Sequence, residues 1–159
     1  MRTIKFRGKD IETGKWVYGF YVRLEDSFRK PIDGKERITH RIYTGFADSC
    51  VSQDGYDFSG DWHEVDPGTI GQFTGYYDSK GNEIFEGDIT TRIRELLDRT
   101  GSIEQGKIEW RHEEGCYLFV DKISTRDNRE LVTPLIRCKR IMVIGNIYDG
   151  PELMKGAKP

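Results

Sequence analysis

Between Phe73 and Ile89 the chain reads F-T-G-Y-Y-D-S-K-G-N-E-I-F-E-G-D-I, and in that span it must reverse direction twice. Phe73 and Tyr77 bracket a polar reversal, Asp78-Ser79-Lys80-Gly81-Asn82, in which Gly81 and Asn82 accept a positive φ at low cost. Ile84 and Phe85 resume the apolar run, and Glu86-Gly87-Asp88 make a second tight turn before Ile89. Two reversals this close leave room only for short extended pieces, which predicts a small barrel with sharp corners. Gly81, Asn82, Glu86, Gly87 and Asp88 are therefore expected to be structural turn residues, because acidic side chains commonly bond turn amides. Nothing near Glu86 and Asp88 supports reading them as paired catalytic carboxylates.

The first half of the chain alternates with a period of two. Ile4 and Phe6 oppose Lys5 and Arg7, the pattern of a half-buried strand. Glu12-Thr13-Gly14-Lys15 reads as a hairpin turn, and W-V-Y-G-F-Y-V-R-L from Trp16 to Leu24 returns with Trp16, Tyr18, Phe20, Val22 and Leu24 on one face. Gly19 interrupts the opposite face and marks a bulge or a close approach by another backbone. Ile38–Tyr43 and Trp62–Val65 read as further strands, with Asp66-Pro67-Gly68 as a turn and Thr69–Thr74 as another short strand.

Beyond Ile89 the period changes. Ile93, Leu96 and Leu97 stand at i, i+3 and i+4 with Gly101 as a stop, so a short amphipathic helix is expected over Thr91–Thr100. Ile103–Trp110 and Tyr117–Ile123 read as strands joined by His112-Glu113-Glu114-Gly115, and Leu131–Gly145 holds one or two more. Asp149-Gly150-Pro151-Glu152 has helix-start chemistry and predicts one helical turn near the end. The fold class expected is mainly β: two small strand-rich units, residues 1–70 and 71–159, with one or two short helices. Element count and turn spacing make the C-terminal unit analogous to an SH3-like small barrel, an analogy that carries no function.

Q-F-T-G-Y-Y-D-S-K-G-N-E-I-F-E-G-D-I (Gln72–Ile89) resembles the signature of the YopX family of phage and prophage proteins. The opening I-K-F-R-G-K-D-I-E-T-G-K-W-V-Y-G (Ile4–Gly19) and the late I-G-N-I-Y-D-G-P-E-L (Ile144–Leu153) are similar to that family as well. The resemblance implies a phage-encoded, mainly β protein. It supplies no catalytic or binding residue, since the family's activity is not established.

Composition bounds the chemistry. A third of the 159 residues are charged, yet the formal net charge is −2, which argues against a strongly electrostatic nucleic-acid binder while leaving room for a local basic patch. Cys50, Cys116 and Cys138 are widely spaced without C-x-x-C, so free thiols in a reducing cytoplasm are expected. His40, His63 and His112 form no H-x-x-x-H or H-E-x-x-H pattern, and Asp54, Asp57 and Asp61 lack calcium-loop spacing. No P-loop and no G-x-S-x-G elbow occurs. Neither a metal nor a cofactor is expected. No apolar run approaches the ~20 residues of a membrane span, and the N-terminus lacks a signal peptide's apolar run, so the host-cell cytoplasm is the expected location.

The basic cluster Arg137, Lys139 and Arg140 is the candidate nucleic-acid contact, with Arg137 and Lys139 on one strand face and Cys138 opposite. The competing reading is an edge strand kept soluble by charge. With no catalytic constellation and abundant aromatics, the function expected is that of a non-enzymatic accessory protein that binds another protein. Nucleic-acid binding by the second barrel is the alternative. Homo-oligomerisation is a further expectation, since edge strands need covering.

Overall fold

Alternation and turn chemistry produce two compact units, Met1–Gln72 and Phe73–Pro159. The computed structural model describes residues 3–25, 38–45, 51–52, 55–56, 61–95, 101–121 and 130–155. Among these, helical structure is confined to three short 3-10 segments, and the rest of the regular structure is antiparallel β.

The N-terminal unit is built on β1 (Phe6–Lys9), β2 (Trp16–Glu25), β3 (Ile38–Tyr43) and β6 (Trp62–Glu64), paired in the order β6-β3-β2-β1. Two dipeptides, β4 (Val51–Ser52) and β5 (Gly55–Tyr56), pair with each other. The first residues of β7 (Gly71–Tyr77) pair with β1, Gly71 against Arg7 and Gln72 against Phe6. Register fixes the faces. Arg7 opposes Tyr18, Lys9 opposes Trp16, Phe20 opposes Tyr43 and Tyr43 opposes Trp62, so these seven residues share one face. The other face carries Phe6, Gly8, Tyr21, His40 and Ile42, followed by Val65. Ile42 and Val65 are its buried centre, and Phe6 packs against Tyr21 at 5.4 Å between ring centroids.

Gly19 is a point of close backbone approach. A Cβ there would lie 1.9 Å from the Tyr43 carbonyl oxygen. The strand expected over Thr69–Thr74 begins later, at Gly71, because Asp66 caps a 3-10 turn at Pro67–Thr69 by accepting the Gly68 amide at 2.9 Å.

In the C-terminal unit the rest of β7 pairs with β8 (Glu83–Phe85), Phe73 against Phe85 and Tyr77 against Glu83. A five-stranded sheet follows, formed by β9 (Asp88–Glu95), β10 (Gly101–Arg111), β11 (Cys116–Asp121), β12 (Leu131–Pro134) and β13 (Met142–Asn146) in the order β12-β11-β10-β9-β13. β10 is shared: Gly101–Lys107 pairs with β9 and Lys107–Arg111 with β11. Ile84, Ile108, Tyr117, Phe119, Leu135 and Ile141 form the core, with Trp110, Cys138 and Val143 packed against it.

The helix expected over Thr91–Thr100 is corrected by this pairing. Thr91–Glu95 belongs to β9, and Leu96–Thr100 lies outside the described residues. The i, i+3, i+4 spacing of Ile93, Leu96 and Leu97 competed with a two-residue period running through Asp88, Thr90 and Arg92, all buried. The ladders to β10 and β13 satisfy the β9 backbone, and this tertiary pairing overrides the local helical pattern. The late helical turn is present as the 3-10 segment Pro151–Lys155.

Asp78 fastens the first reversal. Burial pushes its carboxyl up, but hydrogen bonds from the Asn82 side chain and from the Asn82, Val143 and Lys80 amides outweigh this and hold it below the usual carboxylate range. The four donors lie at 3.0, 2.8, 3.1 and 2.8 Å, so one carboxylate closes the turn and grips β13. Gly81 and Gly87 both sit at positive φ, 84° and 82°. Asp88 accepts the Phe85 amide at 2.8 Å across the second turn, and Glu86 reaches the Trp110 amide at 3.4 Å.

Asp78→Ala is expected to cost about 3–4 kcal/mol, since it strands buried amides that a charged acceptor had satisfied. Thermal unfolding, together with faster exchange of the Asn82 and Val143 amides, would check it. Gly19→Ala should cost about 3 kcal/mol or more through collision with the Tyr43 carbonyl; an unchanged melting temperature would refute the close approach.

Candidate binding surfaces

The face of the N-terminal sheet that carries Trp16, Tyr18 and Phe20 interleaves rings with cations. The Arg7 guanidinium lies 4.8 Å from the Trp16 ring centroid, the Lys9 ammonium 5.7 Å from the same ring, and the Lys5 ammonium 5.6 Å from Tyr18. These distances are within cation–π range. Tyr43 packs against Trp62 at 5.0 Å. Tyr18, Phe20 and Trp62 are nevertheless 44%, 41% and 51% exposed. Beside them lies an apolar hollow of about 240 Å³ whose lining includes Ile4, Phe20 and Tyr43.

The edge of β6 is different in charge. A cleft of about 430 Å³ there is lined by Asp10, Glu12, Arg41, Asp61, Trp62, His63 and Glu64. Asp10 and His63 form a contact of 2.8 Å between Oδ2 and Nδ1. The other Asp10 oxygen accepts the Thr13 amide at 2.7 Å, the Thr13 hydroxyl at 2.9 Å and the Glu12 amide at 3.0 Å. The Thr13 amide first, then His63 and the Thr13 hydroxyl, pull the Asp10 carboxyl down from 3.8 to about 2. This carboxylate organises the β1–β2 turn. Among the described residues no Ser hydroxyl or Cys thiol bonds to His63, so the pair lacks the nucleophile of a hydrolytic dyad. No group of three or more His, Cys, Asp or Glu side chains among the described residues is placed to hold a metal ion.

The C-terminal unit holds a cleft of about 440 Å³ lined by Arg92, Ile93, Leu131, Val132, Thr133, Arg137, Cys138 and Lys139. Its deepest cation is spoken for: Arg92 pairs with Glu104 at 2.7 Å, lies 4.2 Å over the Phe119 ring and donates to the Cys138 sulfur at 3.4 Å. Burial pushes the Cys138 thiol up, and Arg92 works against that shift. Arg137 and Lys139 stand exposed at the wall, with Arg140 exposed one residue beyond.

The structure therefore brings Arg137 and Lys139 to one cleft, but not on the strand face expected for them. Leu135–Arg137 is a 3-10 helix and Cys138–Arg140 joins it to β13. Pro134 at the N-cap, together with burial of Leu135 and Ile141 in the core, breaks the extended run. No local pattern in the sequence assembles Lys5, Arg7, Lys9, Tyr43 and Trp62 into one surface. The period-two alternation of β1 and β2 was the available signal, but register across β3 and β6 was needed to complete it.

The model of the YopX protein family matches residues 5–155. The chain belongs to the YopX family. The signature stretch of this YopX protein is thus the part that builds the Asp78 and Asp88 turns, and none of the three candidate surfaces lies within it. The chain is also similar to a solved structure, protein EF1440 from Enterococcus faecalis, at 21% identity over 97% of this chain and 99% of that one, with a TM-score of 0.49. No curated protein matches it.

A titration follows from the Asp10 geometry. The folded carboxyl titrates below its unfolded value of 3.8, so its stabilising contribution is complete above about pH 4 and is lost as pH falls through about 2. Carbon-detected NMR should place the Asp10 midpoint near the lower value in the wild type and somewhat higher in Thr13→Ala, which removes the hydroxyl donor and keeps the amide.

Proposed function

We propose that this YopX protein is a phage- or prophage-encoded accessory protein that works in the host cytoplasm by binding another protein, without catalysis, through the aromatic face of its N-terminal unit. The observation that carries this reading is the exposure of Tyr18, Phe20 and Trp62 on one sheet face beside an apolar hollow. Exposed aromatics around a small concavity are the composition and shape of a protein-binding hot spot. The occupant that fits is an apolar anchor side chain seated in the hollow. Self-association belongs to the same reading, with a second copy supplying that anchor.

Two features favour protein over nucleic acid here. Cations already lie over the Trp16 and Tyr18 rings, so these ring faces are not open for a base to stack on. The Trp62 end is bordered by Asp61 and Glu64 carboxylates, which repel phosphate. No helix among the described residues is long and apolar enough to cross a membrane.

The strand order β12-β11-β10-β9-β13, with β10 shared between two neighbours and a 3-10 turn before the last strand, supports an SH3-like small barrel for residues 71–159. Residues 1–70 then form the separate β unit that presents the aromatic face.

Phe20→Ser and Trp62→Ser should each weaken partner binding by about 2 kcal/mol, roughly 30-fold, with little change in melting temperature. Affinity capture from host cells carrying the phage checks this. A partner retained equally by both variants, or lost on nuclease treatment, would count against the reading. Sedimentation at the mass of one chain would remove self-association.

A further inference from the structure

The cleft of the C-terminal unit has a one-sided charge that protein binding by the N-terminal unit does not use. The described residues that line it include Arg92, Arg137 and Lys139 and no carboxylate. Arg92 is neutralised by Glu104, so the field at the mouth comes from Arg137 and Lys139, continued outside by Arg140. Among the described residues none of these three has an ion-pair partner. The aliphatic part of the lining comes from Ile93, Leu131 and Val132.

We propose that this cleft binds single-stranded nucleic acid, with Arg137, Lys139 and Arg140 holding successive phosphates and the aliphatic part of the lining receiving an unstacked base. Three cations within four residues, two in the cleft wall and one past it, address more than one phosphate. A strand meets that need and a lone phosphate does not. A duplex keeps its bases stacked inside and offers none to the aliphatic lining.

Arg140 adds an independent sign. Its φ is 51°, and it is the non-glycine residue recorded in the left-handed region among those described. An arginine there costs about 1–2 kcal/mol relative to a right-handed conformation, and glycine would relieve it. Strain of this kind is found where a side chain is needed for a function. An exposed cation turned out beside a basic cleft fits that need.

The test uses the full chain and a fluorescein-labelled oligothymidine of about 12 nucleotides, within the usual site sizes for single strands, read by anisotropy at about 50 mM salt. Three phosphate contacts predict a log affinity against log salt slope of about −2. Arg137→Glu with Lys139→Glu should weaken binding by at least ~10-fold. Arg140→Gly should raise the melting temperature, weaken binding and flatten the slope by about 0.7, a combination that a merely structural residue would not give. Bound oligonucleotide should also slow alkylation of Cys138 by iodoacetamide. The proposal is overturned if the oligonucleotide does not bind, if the double variant binds as the wild type does, or if Cys138 reacts at the same rate when the strand is bound. It is equally overturned if thymidine monophosphate competes as well per phosphate as the strand. Lys5→Glu with Lys9→Glu should leave strand binding within about twofold; loss there, with retention in the cleft variants, would move the site and sink the assignment.

Discussion

One buried carboxylate governs the architecture of the C-terminal unit. Asp78 gathers the Lys80 and Asn82 amides, the Asn82 side chain and the Val143 amide. The first three close the chain reversal after β7, and the fourth reaches a strand 65 residues away. A carboxylate in an apolar setting is costly unless donors surround it, and here the donors come from two distant parts of the chain. The reversal and the placement of β13 therefore stabilise each other. The Ser79 amide and hydroxyl add to the junction by bonding the Ile141 carbonyl at 2.8 and 2.9 Å. This gives the signature stretch a physical account as a junction between the chain reversal and β13.

Two of the candidate surfaces differ in how their cations are spent. On the N-terminal face, Lys5, Arg7 and Lys9 lie against rings, so their charge is directed into the surface and their stems cover apolar area. Among the described residues of the C-terminal cleft only Arg92 is consumed in this way, by Phe119 and Glu104. Arg137, Lys139 and Arg140 remain at the mouth. A near-neutral whole-chain charge thus conceals a local asymmetry, because net charge averages over surfaces that no ligand sees together.

Much of the fold was legible from short-range pattern. Period-two alternation placed Trp16–Leu24 in a strand and put Tyr18 and Phe20 on one side. Gly19 was readable as a close backbone approach, although only the pairing of β2 with β3 shows that the Tyr43 carbonyl is what approaches. The Thr91–Thr100 stretch misled because Ile93, Leu96 and Leu97 mimic a helical stripe, while the residues that decide the matter, Thr90 and Arg92, are polar and buried. A buried arginine does not register as a strand signal; it does so only once Glu104 and Phe119 are seen beside it. Arg137 and Lys139 stand out as a basic cluster in the sequence, but their cleft does not, since much of its lining comes from β9 and β12.

By itself the sequence determined that the chain is mainly β, where it turns, and which family it resembles, because side-chain alternation and turn chemistry act over a few residues and need no partner. Tertiary structure alone decided which rings share a face, that Asp10 answers to His63, and that Arg137 and Lys139 share a cleft with Ile93, Leu131 and Val132. Those outcomes depend on register and on contacts between residues far apart in the chain. A local pattern carries no information about which distant strand will supply the other half of a site.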